Sequence, residues 1–443
     1  MKLYSENGNY KLYNGNMLDM LNIIESCSID AIITDPPYEL NFMGKGWDNS
    51  GIAFQADTWK RCFDALKSGG YLLAFGGSRT FHRIAVAIED AGFEIRDVIM
   101  WLYGSGFPKS MNIGLAIDKK NGVESPVIGQ NINILKKQAK DLRENKRKIV
   151  ESFNAGSPER NNGFKTVSAD IRQAQNEWSG WGTALKPSYE PIIIARKPCE
   201  GSCINNVLKY EVGGINIDEC RIVNETLVNK EISDLGVMHD DNWVFDKETS
   251  SEVVGRFPAN TILTYDETDF DEVCGGMPIT LCNNGSPIST QCNNNINFNS
   301  CQKITHNGFG DSGSAARYFY CAKASKRDRD EGLDNFEFKI GGGMLGTANQ
   351  SLLTGSGNIR NNMRKNTHPT VKPTSLMQYL VRLVTPKGGT VLDPFNGSGS
   401  TGKAVMYENK DRNANYKYIG IELIEEYLPI TQARIEYAQK ENN

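Results

Sequence analysis

The sequence predicts an α/β fold built on an open sheet, and three stretches carry that expectation. Ala31-Ile32-Ile33 is a short apolar run that reads as a buried strand. It runs into Thr34-Asp35-Pro36-Pro37-Tyr38, where two prolines cannot continue a strand ladder and force a stiff loop. Val391-Leu392 enters Asp393-Pro394-Phe395-Asn396-Gly397-Ser398-Gly399-Ser400-Thr401-Gly402, a strand leading into a glycine-rich turn and then a helix. About twenty residues on, Tyr418-Ile419-Gly420-Ile421-Glu422 is another strand, ending in an acid. In open α/β sheets ligands bind at the carboxyl ends of strands, which is where all three stretches place their polar residues.

The remaining elements follow in chain order. Tyr10-Lys11-Leu12-Tyr13 reads as a short strand, and Asn14-Gly15-Asn16-Met17 turns into a helix near Leu18 to Ile24. Asn41 to Gly51 is glycine-rich and polar, a loop beside the Asp35 cluster. Phe54 to Leu66 has helical spacing, with Trp59, Phe63 and Leu66 on one face. Gly69-Gly70 is expected to stop that helix ahead of the strand Tyr71 to Phe75. Gly76-Gly77-Ser78 opens a helix through Ile88, and Phe93 to Trp101 is a further strand. Pro191 can open a strand over Ile192 to Ile194. His368-Pro369-Thr370-Val371-Lys372-Pro373 precedes a helix from Thr374 to Leu383, whose Leu376, Tyr379, Leu380 and Leu383 share a face.

Two regions interrupt this alternation. Within residues 119–182, Lys136, Lys137, Lys140, Arg143, Lys146, Arg147 and Lys148 lie in a polar, helical stretch. That run reads either as a solvated helix face or as a phosphate-contacting arm. Residues 199–364 are rich in Asn, Gly and Ser, and the runs 283–308 and 341–363 are close to loop composition. Lys323, Lys326, Arg327 and Arg329 follow Tyr318-Phe319-Tyr320. Aromatics beside cations suit DNA, and a charged helix start explains them equally.

The Asp35 cluster suits transfer onto an exocyclic amino group. Such a nitrogen is a poor nucleophile because its lone pair is delocalised into the ring. Asp35 can accept one of its hydrogens and the Pro36 carbonyl the other, while Tyr38 offers a flat face for stacking. Glycines at 397 and 399 let backbone approach a ligand closely, and an acid at 422 fits a grip on ribose hydroxyls.

Bulk properties set the bounds. A chain of 443 residues holds a catalytic domain plus inserted modules. Its net charge of −4 means that nucleic-acid binding must come from local basic surface. The N-terminus lacks an apolar signal core, and no apolar run nears the ~20 residues of a membrane span, so a cytoplasmic protein is expected. The ten cysteines include Cys199, Cys203, Cys274, Cys282, Cys292 and Cys301, without a Cys-x-x-Cys pair and with His306 alone near them. Reduced, unpaired thiols are expected, with structural zinc the alternative.

The motifs and their order resemble those of S-adenosylmethionine-dependent amino-group DNA methyltransferases of the β arrangement. In that class the Asp-Pro-Pro-Tyr motif comes first, a target-recognition region follows, and the Phe-x-Gly-x-Gly cofactor motif comes last. Protein glutamine methyltransferases carry Asn-Pro-Pro-Tyr, but with the cofactor motif ahead of it. The resemblance covers roughly residues 10–110, 183–198 and 366–440.

It implies a Rossmann-like, circularly permuted sheet of seven strands, mostly parallel with one reversed, and an inserted DNA-recognition region. Residues 1–118 would be the catalytic half, 119–182 a basic insertion, and 183–198 the last, antiparallel strand. Residues 199–364 would recognise the target, and 365–443 would bind the cofactor. S-adenosylmethionine is the implied cofactor and double-stranded DNA the partner, with the target base flipped out. Asp35, Pro36, Pro37 and Tyr38 would be catalytic. Asn16 (the family usually has an acid there), Lys372, Asp393, Phe395, Gly397, Gly399 and Glu422 would serve the cofactor, with Lys372 on its carboxylate. Lys146, Arg147, Lys148, Lys326 and Arg327 would touch DNA. Phe107 lies where the family holds the flipped base, and His368 is positional. No metal is needed. Asp at the first motif position implies adenine N6, since relatives acting on cytosine N4 usually carry Ser there. Cytosine N4, an RNA target and a non-catalytic DNA-binding protein remain alternatives. The sequence does not show whether a companion restriction enzyme exists.

Overall fold

The computed structural model describes residues 1–40, 46–103, 110–130, 170–227, 253–264, 320–321, 326–340 and 363–440. Lys146, Arg147, Lys148, Phe107 and the cysteines from 274 to 301 lie outside them.

Ten strands form one sheet in the order β1-β2-β16-β15-β3-β4-β8-β5-β11-β12. They are β1 (Lys2–Glu6), β2 (Tyr10–Asn14), β3 (Ile29–Thr34), β4 (Leu66–Phe75), β5 (Glu94–Tyr103), β8 (Tyr189–Arg196), β11 (Thr261–Thr264), β12 (Tyr320–Cys321), β15 (Thr390–Asp393) and β16 (Lys417–Glu422). The seven from β2 to β5 in that order match the expected sheet. Six are parallel, and β8 runs against both of its neighbours. The two chain ends meet in the middle, where Val391 of β15 pairs with Ala31 of β3 and Leu392 with Ile32. Three further strands extend the edges: β1 adds antiparallel to β2, while β11 and β12 add parallel beyond β5. Both of the latter come from 199–364, the stretch expected to serve target recognition.

The buried strands are near-continuous apolar runs because both faces are covered. On one face Met17, Met20, Trp59, Ile84 and Ile88 pack from a 3₁₀ turn (Met17–Asn22) and the helices α1 (Ala56–Ala65) and α2 (Phe81–Asp90). The turn stands where the sequence suggested a helix. The other face is covered by α6 (Thr374–Val384), α7 (Ser400–Arg412) and α8 (Leu428–Gln439), through Leu376, Leu380, Val405 and Ile435.

Gly69-Gly70 does not end a helix. Helix α1 stops at Ala65 and β4 begins at Leu66, with Gly69 in the left-handed region at φ 82° inside the strand. Asn206 of α4 (Cys203–Tyr210) packs into the space a side chain at 69 would need, and its amide donates to the Ser68 and Val212 carbonyls at 2.8 and 2.9 Å.

Between β5 and β8 in the chain lie α3 (Ile113–Lys120) and the antiparallel pair of β6 (Val127–Gln130) and β7 (Asp170–Arg172). Two more pairs, β9 (Ile222–Leu227) with β10 (Val253–Arg256) and β13 (Lys339–Ile340) with β14 (Met363–Arg364), and the short helix α5 (Lys326–Asp330) complete the described strands and α-helices. No helix among the described residues is long and apolar enough to cross a membrane.

Candidate active site

The carboxyl ends of β3, β4, β5, β15 and β16 open onto a cavity of about 1160 Å³. Because β8 is reversed, its first residues, not its last, reach this edge. Asp35, Tyr38, Glu190, Lys372, Gly397 and Glu422 all line the cavity.

Its first wall is the Asp35 loop. Lys372, delivered by the extended segment before α6, donates to Asp35 Oδ2 at 2.6 Å and to the Tyr38 hydroxyl at 3.2 Å. Its ammonium also lies 3.5 Å from Glu190 Oε2. Tyr38 donates to Glu190 Oε2 at 2.8 Å, and Tyr103 donates to Glu190 Oε1 at 3.3 Å. Asp35 Oδ1 is buried and has no hydrogen-bond partner among the described residues. Burial acts to lower the Lys372 pKa, but the charges of Asp35 and Glu190 outweigh it and hold it above the usual lysine value. Burial, then those same two charges, keeps the Tyr38 hydroxyl well above the ordinary phenol range, so it remains a donor.

The opposite wall is the glycine turn. Gly397 and Gly399 both have positive φ, 54° and 73°. A side chain at 397 would run into the His368 ring, and one at 399 into Thr431. Asp393 at the end of β15 accepts from Thr34 Oγ1 at 2.7 Å, Thr401 Oγ1 at 2.6 Å and the Phe395 amide at 3.2 Å. Glu422 at the end of β16 accepts the Gly397 amide at 2.7 Å and the Ile424 amide at 2.8 Å. Burial pushes the Asp393 carboxyl up to about 6 and that of Glu422 up to about 7. Burial likewise pushes the His368 imidazole down to about 4, so it is neutral at pH 7. Arg434, fully buried on α8, braces the turn from behind by donating to the Ser398 carbonyl at 2.7 Å.

The structure brings Asp35, Pro36, Pro37, Tyr38, Asn16, Lys372, Asp393, Phe395, Gly397 and Glu422 to one cavity. Gly399 sits just behind it as the residue capping α7. Two placements differ from expectation. Lys372, expected on a cofactor carboxylate, directs its donors to Asp35, Tyr38 and Glu190. Asn16 uses its side-chain oxygen to cap the 3₁₀ turn, accepting the Leu18 amide at 3.0 Å. Lys326 and Arg327 begin α5, and Arg327 is exposed. Glu190 was not singled out from sequence. The signal was there in the expected reversal of β8, which puts an acid just before Pro191 on the ligand edge. Among the described residues no cluster of three or more His, Cys, Asp or Glu side chains could hold a metal ion. Cys27, Cys62, Cys199, Cys203 and Cys220 are free thiols.

Comparison with known proteins finds related DNA methyltransferases. The type II methyltransferase M.HindIII of Haemophilus influenzae is 24% identical over 249 residues, 46% of this chain and 64% of that protein. The type II methyltransferase M2.DpnII of Streptococcus pneumoniae is 38% identical over 76 residues, 17% of this chain and 26% of that protein. The chain thus spans less than two thirds of the length of either relative. The solved PvuII DNA methyltransferase (cytosine-N4-specific) aligns over 100% of this chain and 90% of its own, at 13% identity and a TM-score of 0.43. The N6_N4_Mtase model, described as DNA methylase, matches residues 29–433, and the chain belongs to that family.

Proposed function

We propose that this protein transfers a methyl group from S-adenosylmethionine to an exocyclic amino group in double-stranded DNA, and that the base is adenine, modified at N6. The observation that carries this reading is the Asp35 carboxylate. One oxygen is held by Lys372, and the other is buried without a partner among the described residues, on a residue that lines a large cavity. An unsatisfied buried acceptor is costly and marks a place where a donor belongs.

The residues of the other wall fit S-adenosylmethionine. Gly397, a glycine with positive φ, brings backbone to the cavity, and a buried carboxylate stands beside it for ribose hydroxyls. M1.HpyAVI, a structural relative at 15% identity, is known as a complex with SAM. Bound S-adenosylmethionine supplies a methyl group already activated on a sulfonium. Asp35 accepts one hydrogen of the target amine and the Pro36 carbonyl the other, drawing the nitrogen lone pair out of ring conjugation. Tyr38 stacks on the extruded base. As the nitrogen gains positive charge, the carboxylate stabilises it, and the displaced proton leaves toward Asp35. Lys146, Arg147 and Lys148, outside the described residues, with Lys326 and Arg327, supply phosphate contacts.

Adenine is the narrower part of the proposal and rests on Asp at the first motif position. Cytosine N4 would be held by the same acid and carbonyl. Incubation with duplex DNA and cofactor, digestion to nucleosides and mass spectrometry tests both parts. N6-methyladenine is expected. N4-methylcytosine would overturn the base assignment alone, and unmodified DNA would overturn the activity.

A further inference from the structure

An ammonium group has three N–H donors. Lys372 has three acceptors around it, Asp35 Oδ2 at 2.6 Å, the Tyr38 hydroxyl at 3.2 Å and Glu190 Oε2 at 3.5 Å. Its side chain is 8% exposed, its head lies 4.9 Å from the centre of the Phe75 ring, and both of its hydrogen bonds go to the Asp35 loop. Glu190 is itself tied to the hydroxyls of Tyr38 and Tyr103. A carboxylate on a short side chain has a soft terminal torsion, so alone it would swing. Pinning Oδ2 leaves Oδ1 as the one unpaired acceptor.

We propose that Lys372 and Glu190 form a positioning pair for Asp35, in which Glu190 holds the ammonium and the ammonium fixes which Asp35 oxygen faces the target amine. This rests on the methyl-transfer reading above. Neither residue touches the reacting atoms. Lys372 acts through Asp35, and Glu190 acts through Lys372 and the Tyr38 ring that stacks the base. The ammonium also balances the Asp35 charge, so Asp35 serves as an oriented acceptor during transfer instead of stripping the proton beforehand. The competing role for Lys372, a grip on the cofactor carboxylate, makes the opposite prediction for binding.

The test uses the full chain with Lys372→Met, Lys372→Arg and Glu190→Gln, duplex DNA and S-adenosylmethionine, with calorimetry for cofactor affinity. Lys372→Met should lower kcat about 100-fold, the scale of a misplaced catalytic group. Its cofactor Kd should stay within about twofold, because the pair makes no contact with the cofactor that the substitution would remove. Lys372→Arg should recover part of kcat, and Glu190→Gln should lower kcat with cofactor Kd unchanged. A Lys372→Met protein with wild-type kcat at saturating cofactor and a Kd weakened about tenfold or more would overturn the pair in favour of the cofactor grip. Wild-type values for both would overturn it too. If Lys372→Met does not fold, the Glu190→Gln kcat decides. A wild-type protein that binds S-adenosylmethionine but leaves DNA unmodified would instead sink the activity on which the pair depends.

Discussion

The Thr34 hydroxyl donates to Asp393 Oδ1 at 2.7 Å, joining residues 359 apart in sequence. The bond ties the end of β3 to the end of β15, so the Asp35 loop and the glycine turn share one buried carboxylate. Asp393 is 2% exposed, and with the Thr401 hydroxyl and Phe395 amide its two oxygens take three donors. Geometry between the Asp35 loop and the glycine turn is therefore set by a hydrogen-bond cluster in the sheet's centre.

Thr34→Val keeps the shape and removes one of those donors. We expect a loss of about 1–3 kcal/mol of folding stability, the usual cost of a buried polar group left short of a partner. Urea denaturation checks it. Unchanged stability would mean that the Thr401 hydroxyl and Phe395 amide suffice.

Glu422 should matter twice. Its replacement by Ala should weaken S-adenosylmethionine binding by ~1.5–3 kcal/mol, the range for a hydrogen bond to a charged group, and calorimetry reads that directly. The pH dependence has a definite sign. Burial raises the carboxyl from 4.5 to about 7 in the folded protein, so between these values the folded state holds the extra proton. Stability contributed by this group is present below about 4.5 and is lost as pH rises through about 7. Glu422→Gln removes that slope. Its stability relative to wild type should rise between pH 5 and 8, by an amount on the order of 2 kcal/mol. A difference that is flat with pH would refute the burial argument.

Gly399 is constrained by its own backbone and by a neighbour. It holds φ at 73° as the residue capping α7, and a Cβ there would lie 2.7 Å from Thr431 Cγ2. Gly399→Ala should cost on the order of 1–3 kcal/mol from positive-φ strain plus the clash. A thermal scan of Gly399→Ala against Gly399→Ala/Thr431→Ser separates the two: partial recovery in the double variant is the clash, and the remainder is the strain.

What the sequence disclosed follows from length and periodicity. Strands such as Ile29–Thr34 and Lys417–Glu422 are apolar runs with abrupt polar ends, and the helix Thr374–Val384 repeats its apolar face, so all three were legible. Strands β11 and β12, four and two residues long, are too short to show any period. Gly69-Gly70 misled because their meaning is tertiary: glycine there makes room for Asn206, 137 residues later, instead of ending a helix. The Lys372 contacts had no local signal, since its acceptors come from β8 and the loop after β3.

The last expectation concerns charges hidden behind the glycine turn. Lys403 on α7 is fully buried and pairs with Asp328 Oδ1 at 2.6 Å and Glu331 Oε2 at 2.7 Å. Asp328 also accepts the Thr374 amide at 2.7 Å, at the start of α6, and Arg434 lies within 3.9 Å of it. Burial acts to raise the Asp328 pKa, but Lys403 and the Thr374 bonds outweigh it and hold it below the usual carboxylate value. Removing one partner of a buried ion cluster strands the others, which typically costs about 3–5 kcal/mol. Lys403→Met should fall in that range. Because Asp328 is depressed, its contribution is present above 3.8 and lost as pH falls through its folded value, so the wild type should lose this stabilisation on acidification. The variant should show less of that acid-side loss. Adding Asp328→Asn and Glu331→Gln to Lys403→Met should recover part of the stability by removing the stranded charges. Denaturant titrations of the single and triple variants decide it: a Lys403→Met protein as stable as wild type would show that water reaches this cluster and screens it.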